Sequence, residues 1–215
     1  MGAPGSGKGT QACALARTLA VPQILTGEML RDAVQAKTGL GGLTEERMRA
    51  GNLAPDDIMC GIVRERLRQP DCRFGVILDG FPRTIEQALF LDDFLEKCGS
   101  WKPVVFHISI DQGLLVKRAV GRRVCSVCGE VYNMYFKPPR IAGLCEKDGG
   151  ILTRPVDDNE QTIRERIRAY AKQTQPLIGH YSSMDVLHHV DGNLEAQAVS
   201  AQIYVMLGKL RHEGA

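Results

Sequence analysis

The sequence predicts an α/β fold: a parallel central sheet between helical layers, with two mobile insertions. Three observations point there. Residues Gly2-Ala3-Pro4-Gly5-Ser6-Gly7-Lys8-Gly9-Thr10 carry the Gly-x-x-x-x-Gly-Lys spacing of a Walker A loop. Short apolar runs then alternate with helical patterns, the rhythm of a three-layer sandwich of the P-loop kind. Two segments break that rhythm: residues 26–54 are helical and polar, and residues 123–156 are rich in Cys, Gly and Pro. Both read as insertions over a ligand site, the usual place for moving lids.

The loop comes first. Its glycines let the backbone curl so that successive N–H groups point at phosphate oxygens. Lys8 adds a mobile positive charge for the outer phosphates. The helix that follows, with Ala12, Leu15, Ala16 and Leu19 on one face, aims its N-terminal N–H groups at the same anion. Gly9 stands where Ser or Thr usually follows the lysine, and Thr10 comes one position later. The competing reading is a plain Gly-rich turn, which would not require the helix. Only Met1 precedes the loop, whereas a Walker A loop hangs from the end of a buried strand. The expectation is that this strand is missing from the chain as given. A chain made as written is then expected to be poorly soluble or weakly active, and a short Val/Leu run placed before Gly2 should recover both.

Further along, a brief strand is expected at Gln23 to Leu25, and helices near Glu28 to Gln35 and Asp56 to Arg68. Gly75-Val76-Ile77-Leu78 reads as a buried strand, followed by a helix from Ile85 to Lys97. Val104 to Ile110 is the next strand, then a helix at Leu114 to Val120. A longer helix is expected from about Asn159 to Ile178, with Ile163, Ile167, Tyr170, Thr174 and Leu177 on one face. Pro176 should bend or end it. A last strand at Val186 to Val190 and a helix from Leu194 to Leu210 complete the chain.

A chain of 215 residues allows one sizeable domain or a core with small inserted subdomains. Its net charge of +2, from 27 basic and 25 acidic residues, is too balanced for a general nucleic-acid or membrane binder. No apolar run approaches the ~20 residues of a membrane span, and no charged, then apolar, leader opens the chain. Seven cysteines, three of them in one short segment, suit a reducing cytosol and a metal site better than a disulfide framework. Cys13, Cys60 and Cys98 lie in helical patterns and read as small buried hydrophobes.

Three further clusters carry chemistry. In Leu78-Asp79-Gly80-Phe81-Pro82-Arg83 an acidic residue ends a parallel strand, where α/β sheets bind ligands. Asp79 can hold Mg2+ through water, and Arg83 presents a fork to a phosphate. A turn closed by a local Asp–Arg pair is the bland alternative. Lys117, Arg118, Arg122, Arg123, Arg154, Arg164 and Arg166 form a basic set suited to the charge that phosphoryl transfer spreads over oxygens. A solvated helix face is the simpler reading for Lys117 and Arg164. Arg118 and Arg122 share a face if their helix persists. Cys125-x2-Cys128, sixteen residues, then Cys145-x2-Asp148 has the spacing of a closed four-ligand zinc site, against free cysteines in an irregular loop. His188 and His189 alternate across a predicted strand, and the five histidines show no metal or triad spacing.

Together, the Gly2–Thr10 loop, Thr26-Gly27-Glu28-Met29-Leu30-Arg31, Asp79-Gly80-Phe81-Pro82-Arg83-Thr84 with Gln87, Gly121-Arg122-Arg123-Val124 and Asp157-Asp158 resemble the adenylate kinases. The likeness covers essentially the whole chain, and the cysteine-bearing insertion resembles the bacterial long-lid, zinc-bearing form. The resemblance implies a five-stranded parallel sheet whose first, central strand is the missing one. Losing about five buried apolar residues would forfeit several kcal/mol. It implies a core of residues 1–25, 55–121 and 159–215, an AMP-binding flap at 26–54 and a zinc-bearing ATP lid at 122–158. It further implies reversible transfer of the terminal phosphoryl group from MgATP to AMP, giving two ADP, in a cytoplasmic monomer that needs no nucleic acid or membrane.

By the same resemblance, Gly5, Ser6, Gly7, Lys8, Gly9 and Thr10 would hold ATP phosphates. Arg122, Val131 and Tyr132 would meet ATP under the lid, and Gly192, Asn193 and Leu194 would line its adenine pocket. Thr26, Arg31, Asn52, Leu53, Ala54, Gly80, Phe81, Pro82, Arg83 and Gln87 would hold AMP, with the Gln87 amide on an adenine edge. Arg166 and Arg154 would bridge the phosphates. Lys8, Arg83, Arg118, Arg122, Arg154 and Arg166 would form the catalytic set. The family reads Arg-x-Asp-Asp, and here Arg154-Pro155-Val156-Asp157-Asp158 carries one residue more. Two alternatives stand beside this reading: a kinase for another nucleoside monophosphate, and a zinc-ribbon nucleic-acid-binding protein with an ATPase core. The long lid and the Thr26/Gln87 pair argue against a pyrimidine acceptor. Near-zero net charge and few aromatics argue against nucleic acid.

Overall fold

A computed structural model describes residues 1–35, 53–99, 101–155 and 158–213. The Gly-rich loop turns directly into helix α1 (Lys8–Leu19), which ends at Ala20 in the left-handed conformation with its N–H on the Ala16 carbonyl. Strand β1 (Gln23–Leu25) runs into helix α2 (Thr26–Gln35). Helix α3 (Asp56–Leu67) starts after Pro55, with Asp56 and Asp57 in its first turn complementing the helix dipole. A 3-10 turn (Pro70–Cys72) leads to strand β2 (Ile77–Asp79). Helix α4 (Ile85–Cys98) is capped by the Thr84 side chain, which accepts from the Gln87 N–H, and is stopped by Gly99 at φ 69°. Strand β3 (Val105–Ser109) and helix α5 (Gln112–Gly121) follow.

The second insertion is a small antiparallel sheet of strands β4 (Arg122–Cys125), β5 (Val131–Asn133) and β6 (Leu152–Thr153), in the order β5-β4-β6. The chain re-enters the core through helix α6 (Glu160–Ala169), whose Asn159 cap accepts from the Thr162 N–H. A π turn (Tyr170–Thr174) continues it. Helix α7 (Leu177–Ser183), strand β7 (Leu187–Asp191) and helix α8 (Ala196–Glu213) complete the order.

The parallel expectation holds. β1 pairs with β2, Ile24 opposite Leu78, and β3 pairs with β7, Ile108 opposite Val190. Beside β3, the Met1 carbonyl accepts from the Ile108 N–H at 3.0 Å and its amino group donates to the Phe106 carbonyl. Helices cover these strands through apolar clusters. Ile24, Val63, Phe81 and Leu91 form one, Leu15, Ile108, Val190 and Ile203 a second, and Ala88, Leu177 and Tyr181 a third. Among the described residues no helix is long and apolar enough to cross a membrane.

Several sequence expectations need correction. The long helix expected from Asn159 to Ile178 is divided in two: α6 continues through the π turn to Thr174 and ends at Pro176, as that proline predicts, and α7 starts anew at Leu177. Arg118 and Arg122 share no helix face, because α5 stops at Gly121 and Arg122 is extended. Glycine is required at the last helical position. A Cβ on Gly121 would lie 2.6 Å from the Tyr135 ring and 2.7 Å from Asn133 Oδ1, where the lid sheet packs on the helix end. The isolated cysteines are not all core: Cys98 is exposed and Cys13 and Cys60 are half-buried, while Cys72 is buried. Most of the 26–54 flap lies outside the described residues, Asn52 included.

Candidate active site

The loop is built for close backbone approach. Gly5 and Gly7 take φ 87° and 88°, a conformation that side chains resist. A Cβ at Gly5 would also strike the Leu115 carbonyl at 2.7 Å. Ser6 is buried, and among the described residues its hydroxyl meets no hydrogen-bond partner. Its Oγ lies beside Gly2, 2.5 Å from where a Cβ there would be. Thr10 is exposed one turn into α1.

Lys8 faces Asp79, Arg83, Arg166 and Arg122 from the loop. Burial, reinforced by the three guanidinium groups and opposed by Asp79, pulls its pKa down to about 8. The Asp79 carboxylate, at the end of β2, sits 3.1 Å from where a Gly9 Cβ would be. A Ser or Thr after the lysine would crowd that carboxylate, which accounts for glycine here.

Asp158 organises the arginines. It is 2% exposed, and its carboxylate takes Arg122 Nε at 2.6 Å and Nη2 at 2.9 Å, with Arg166 Nη1 at 3.7 Å. Arg154 Nε reaches the Asp158 main-chain carbonyl at 3.0 Å, so the extra residue before the acidic pair is absorbed without taking Arg154 away. Sequence reasoning gave Asp158 no role. The signal was available: an acidic pair in a stretch of arginines must be neutralised by them if it is buried.

The second half of the site hangs on β2 and α4. Gly80, at φ 90°, lies so close to the Arg83 guanidinium that a Cβ would sit 2.7 Å from Nη2 and 3.0 Å from Thr26 Oγ1. Thr26 is buried and bonds the Asp79 carbonyl at 3.3 Å. Arg83 Nε donates to the Gly80 carbonyl at 2.7 Å, and Phe81 and Pro82 pack inward between them. Gln87 is 2% exposed; its Oε1 accepts the Arg83 N–H at 2.8 Å and its Nε2 donates to Asp56 Oδ1 at 2.6 Å. The Asp56 partner was not anticipated. Leu53 and Ala54 lie just before α3, half-buried and buried respectively, and Arg31 lies on α2.

On the far side, Arg118 donates to the carbonyls of Gly192 at 2.7 Å and Leu194 at 3.1 Å. Asn193 Oδ1 accepts the Asp111 N–H at 3.0 Å. These bonds brace the segment after β7 against α5. Lys117 lies over the rings of Tyr135 and Phe136, and Arg164 pairs with Glu160 one turn away, both in surface roles.

The lid holds the metal-type cluster. The ligand atoms of Cys125, Cys128, Cys145 and Asp148 all lie within 4.8 Å of one another. Cys128 and Cys145 Sγ are 3.7 Å apart, against ~3.8 Å for two thiolates on one tetrahedral zinc. Each ligand pair sits in a tight turn, with Gly129 N–H on the Cys125 carbonyl and Gly149 N–H on the Cys145 carbonyl. A Cβ on Gly150 would lie 2.6 Å from Cys125 Sγ, so glycine is required for the cluster to close. These donors fit a structural zinc ion. Tyr132 is buried against this cluster, its hydroxyl 3.6 Å from Cys145 Sγ and accepting the Glu146 N–H at 2.8 Å, while Val131 is exposed.

A family model described as adenylate kinase matches residues 1–186. An adenylate kinase of Bacillus subtilis (strain 168) is 44% identical over 211 residues, covering 98% of this chain and 97% of that protein. One from Geobacillus sp. (strain WCH70) is 44% identical over 211 residues, covering 98% of each chain. One from Archaeoglobus fulgidus is 44% identical over 211 residues, covering 98% of this chain and 97% of that protein.

Proposed function

The chain belongs to the adenylate kinase family, and from that premise we infer that it transfers the terminal phosphoryl group of MgATP to AMP, giving two ADP. The observation that carries the reading is the convergence of Lys8, Asp79, Arg83, Arg122 and Arg166 on the mouth of one glycine-rich loop. Catalysis is then positioning and charge neutralisation, with no covalent intermediate. The N–H groups of Gly5 to Thr10 cradle the ATP phosphates, and Lys8 follows the transferring group. Arg83 holds the AMP phosphate, whose ionised oxygen attacks in line. Arg166 and Arg122, held ready by Asp158, neutralise charge between the two nucleotides, and Arg154 supports them through the Asp158 main chain.

In this reading Thr26, Arg31, Asn52, Leu53, Ala54, Gly80, Phe81, Pro82 and Gln87 shape the AMP site. Gln87 must share its amide among Arg83, Asp56 and the base. Val131, Tyr132, Gly192 and Asn193 border ATP, and Arg118 shapes that pocket through the Gly192 and Leu194 carbonyls. Asp79 would hold, through water, the Mg2+ that accompanies ATP, and the ion would supply charge to screen the phosphates. Cys125, Cys128, Cys145 and Asp148 would hold one Zn2+, which gives the lid rigidity. The proposal includes a monomer, and a reducing cytosol that the odd cysteine count and metal-type spacing support.

The test is a coupled assay with AMP, GMP, CMP and UMP as acceptors at one ATP concentration. AMP should lead by at least tenfold in kcat/KM. Equal or better transfer to another nucleotide would overturn the acceptor assignment.

A further inference from the structure

Arg83 is held by its main chain as firmly as by its side chain. Its N–H donates to Gln87 at 2.8 Å, and its carbonyl accepts from Thr174 Oγ1 at 2.8 Å. Thr174 is 8% exposed and lies 91 residues away in sequence, so this part-buried bond joins two segments far apart along the chain. A hydrogen bond of that kind leaves an unsatisfied carbonyl when its donor is removed.

Thr174 also has a particular place. It closes the π turn Tyr170–Thr174, where the Gln175 N–H reaches back to the Tyr170 carbonyl at 2.9 Å. That turn continues without a break from α6, which carries Arg166. A π turn inserts one extra residue and rotates everything after it by ~100° about the helix axis. It therefore decides where Thr174 points, and here that is the Arg83 carbonyl. Pro176 follows two residues later and prevents the turn from relaxing into a longer α-helix.

We propose that Thr174 is a positioning residue for phosphoryl transfer: its hydroxyl ties Arg83 to the helix that presents Arg166, setting the spacing between two phosphate-binding arginines. The inference rests on the reading of Arg83 as a phosphate ligand. Thr174 itself touches no substrate. A small error in the placement of such a group has a large kinetic effect, since misplacement by ~1 Å can cost ~100-fold.

The test compares Thr174→Val, which keeps the shape and removes the hydroxyl, with Thr174→Ser, which keeps the hydroxyl. Arg83→Ala is measured alongside. AMP and adenosine binding are titrated for each, with kcat at saturating substrates and Tm. Thr174→Val should weaken AMP by about tenfold and lower kcat by a similar factor, yet leave adenosine binding unchanged, because only the phosphate contact is disturbed. Thr174→Ser should behave as wild type in all four measurements. Wild-type AMP binding and turnover in Thr174→Val would overturn the proposal. So would equal weakening of AMP and adenosine, or a Ser variant as impaired as Val, since either assigns Thr174 to packing. If Arg83→Ala binds AMP normally, the reading of Arg83 fails instead. If it binds poorly while Thr174→Val is normal, only the Thr174 inference fails.

Discussion

Lys8 is the residue whose chemistry is most exposed to test. It opens α1 at the end of the glycine-rich loop and belongs to no apolar cluster, so Lys8→Ala should remove most phosphoryl transfer while Tm stays within a few degrees of wild type. Its lowered pKa gives a pH signature. Below about 8 the ammonium is already charged in the free protein, and above that it is progressively neutral. Phosphate binding favours the charged form, so ATP affinity should fall as pH rises through about 8, with proton uptake on binding that grows over the same range. Stability moves the other way. The unfolded lysine binds its proton more tightly than the folded one, so this group makes the unliganded protein more stable as pH rises from about 8 toward its ordinary value of 10.5. Calorimetric titration in buffers of different ionisation enthalpy reads the proton directly; no uptake near pH 8.5 would remove Lys8 from the ATP site. Arg83→Ala should cost ~1.5–3 kcal/mol of transition-state binding, the size of one charge-assisted contact. Near wild-type kcat/KM in the folded variant would discard that role.

At the scale of the element, the lid sheet is too small to hold itself together by apolar burial. Its core consists of Cys125, Tyr132 and Cys145 with Leu152 packed beside them. A sheet of this size needs a staple, and the four-ligand cluster supplies the place for one. Protein purified without chelator should therefore contain about one zinc per chain by atomic absorption. Removing it should lower the melting temperature well before it lowers turnover at moderate temperature, because an ion held by these four ligands would order the lid and take no part in the reaction. Metal content far below one equivalent would count against the site. Gly150→Ala places a Cβ 2.6 Å from Cys125 Sγ and 2.9 Å from Val127, so it should weaken zinc retention against a competing chelator. Retention equal to wild type would mean that the turn has room to shift. Where the same element leaves α5 it is tied by one side chain and one main-chain bond: Asn133 Nδ2 donates to the Arg118 carbonyl at 2.8 Å, and the Met134 main-chain N–H donates to the Gly121 carbonyl at 2.9 Å. These bonds cap α5 where the lid departs.

For the whole molecule, the proposed chemistry needs both proposed flaps, residues 26–54 and 122–158, to close over two nucleotides at once. A compound joining two adenosines through five phosphates should then bind far more tightly than ATP or AMP, since the linkage removes one of the two association costs. Binding no tighter than ATP alone would show that the two nucleotide sites are not occupied together. Closure has an electrostatic cause in this arrangement. Lys8, Arg83, Arg122 and Arg166 repel one another in the absence of phosphate, and among the described residues Asp79 and Asp158 offset part of that repulsion. Bound phosphates reverse that balance, so ligand and closed form stabilise each other.

The sequence by itself determined what depends on short-range geometry. The phosphate loop, the Thr84 cap, the two ligand turns of the lid and the strand–helix alternation are all set by local backbone preference and spacing, which are written within ten residues. The strands at Gln23–Leu25 and around Val105–Ser109 were legible for that reason. Only the tertiary structure decided which distant side chains meet. It broke the helix that would have paired Arg118 with Arg122, sending one to the Gly192 carbonyl and the other to Asp158. It closed the Gln87 amide between Arg83 and Asp56, turned Tyr132 into the metal cluster, and brought Thr174 to Arg83 across 91 residues. Such partnerships depend on how whole elements pack. Packing is a property of buried surfaces brought together from far along the chain, and no local period records it.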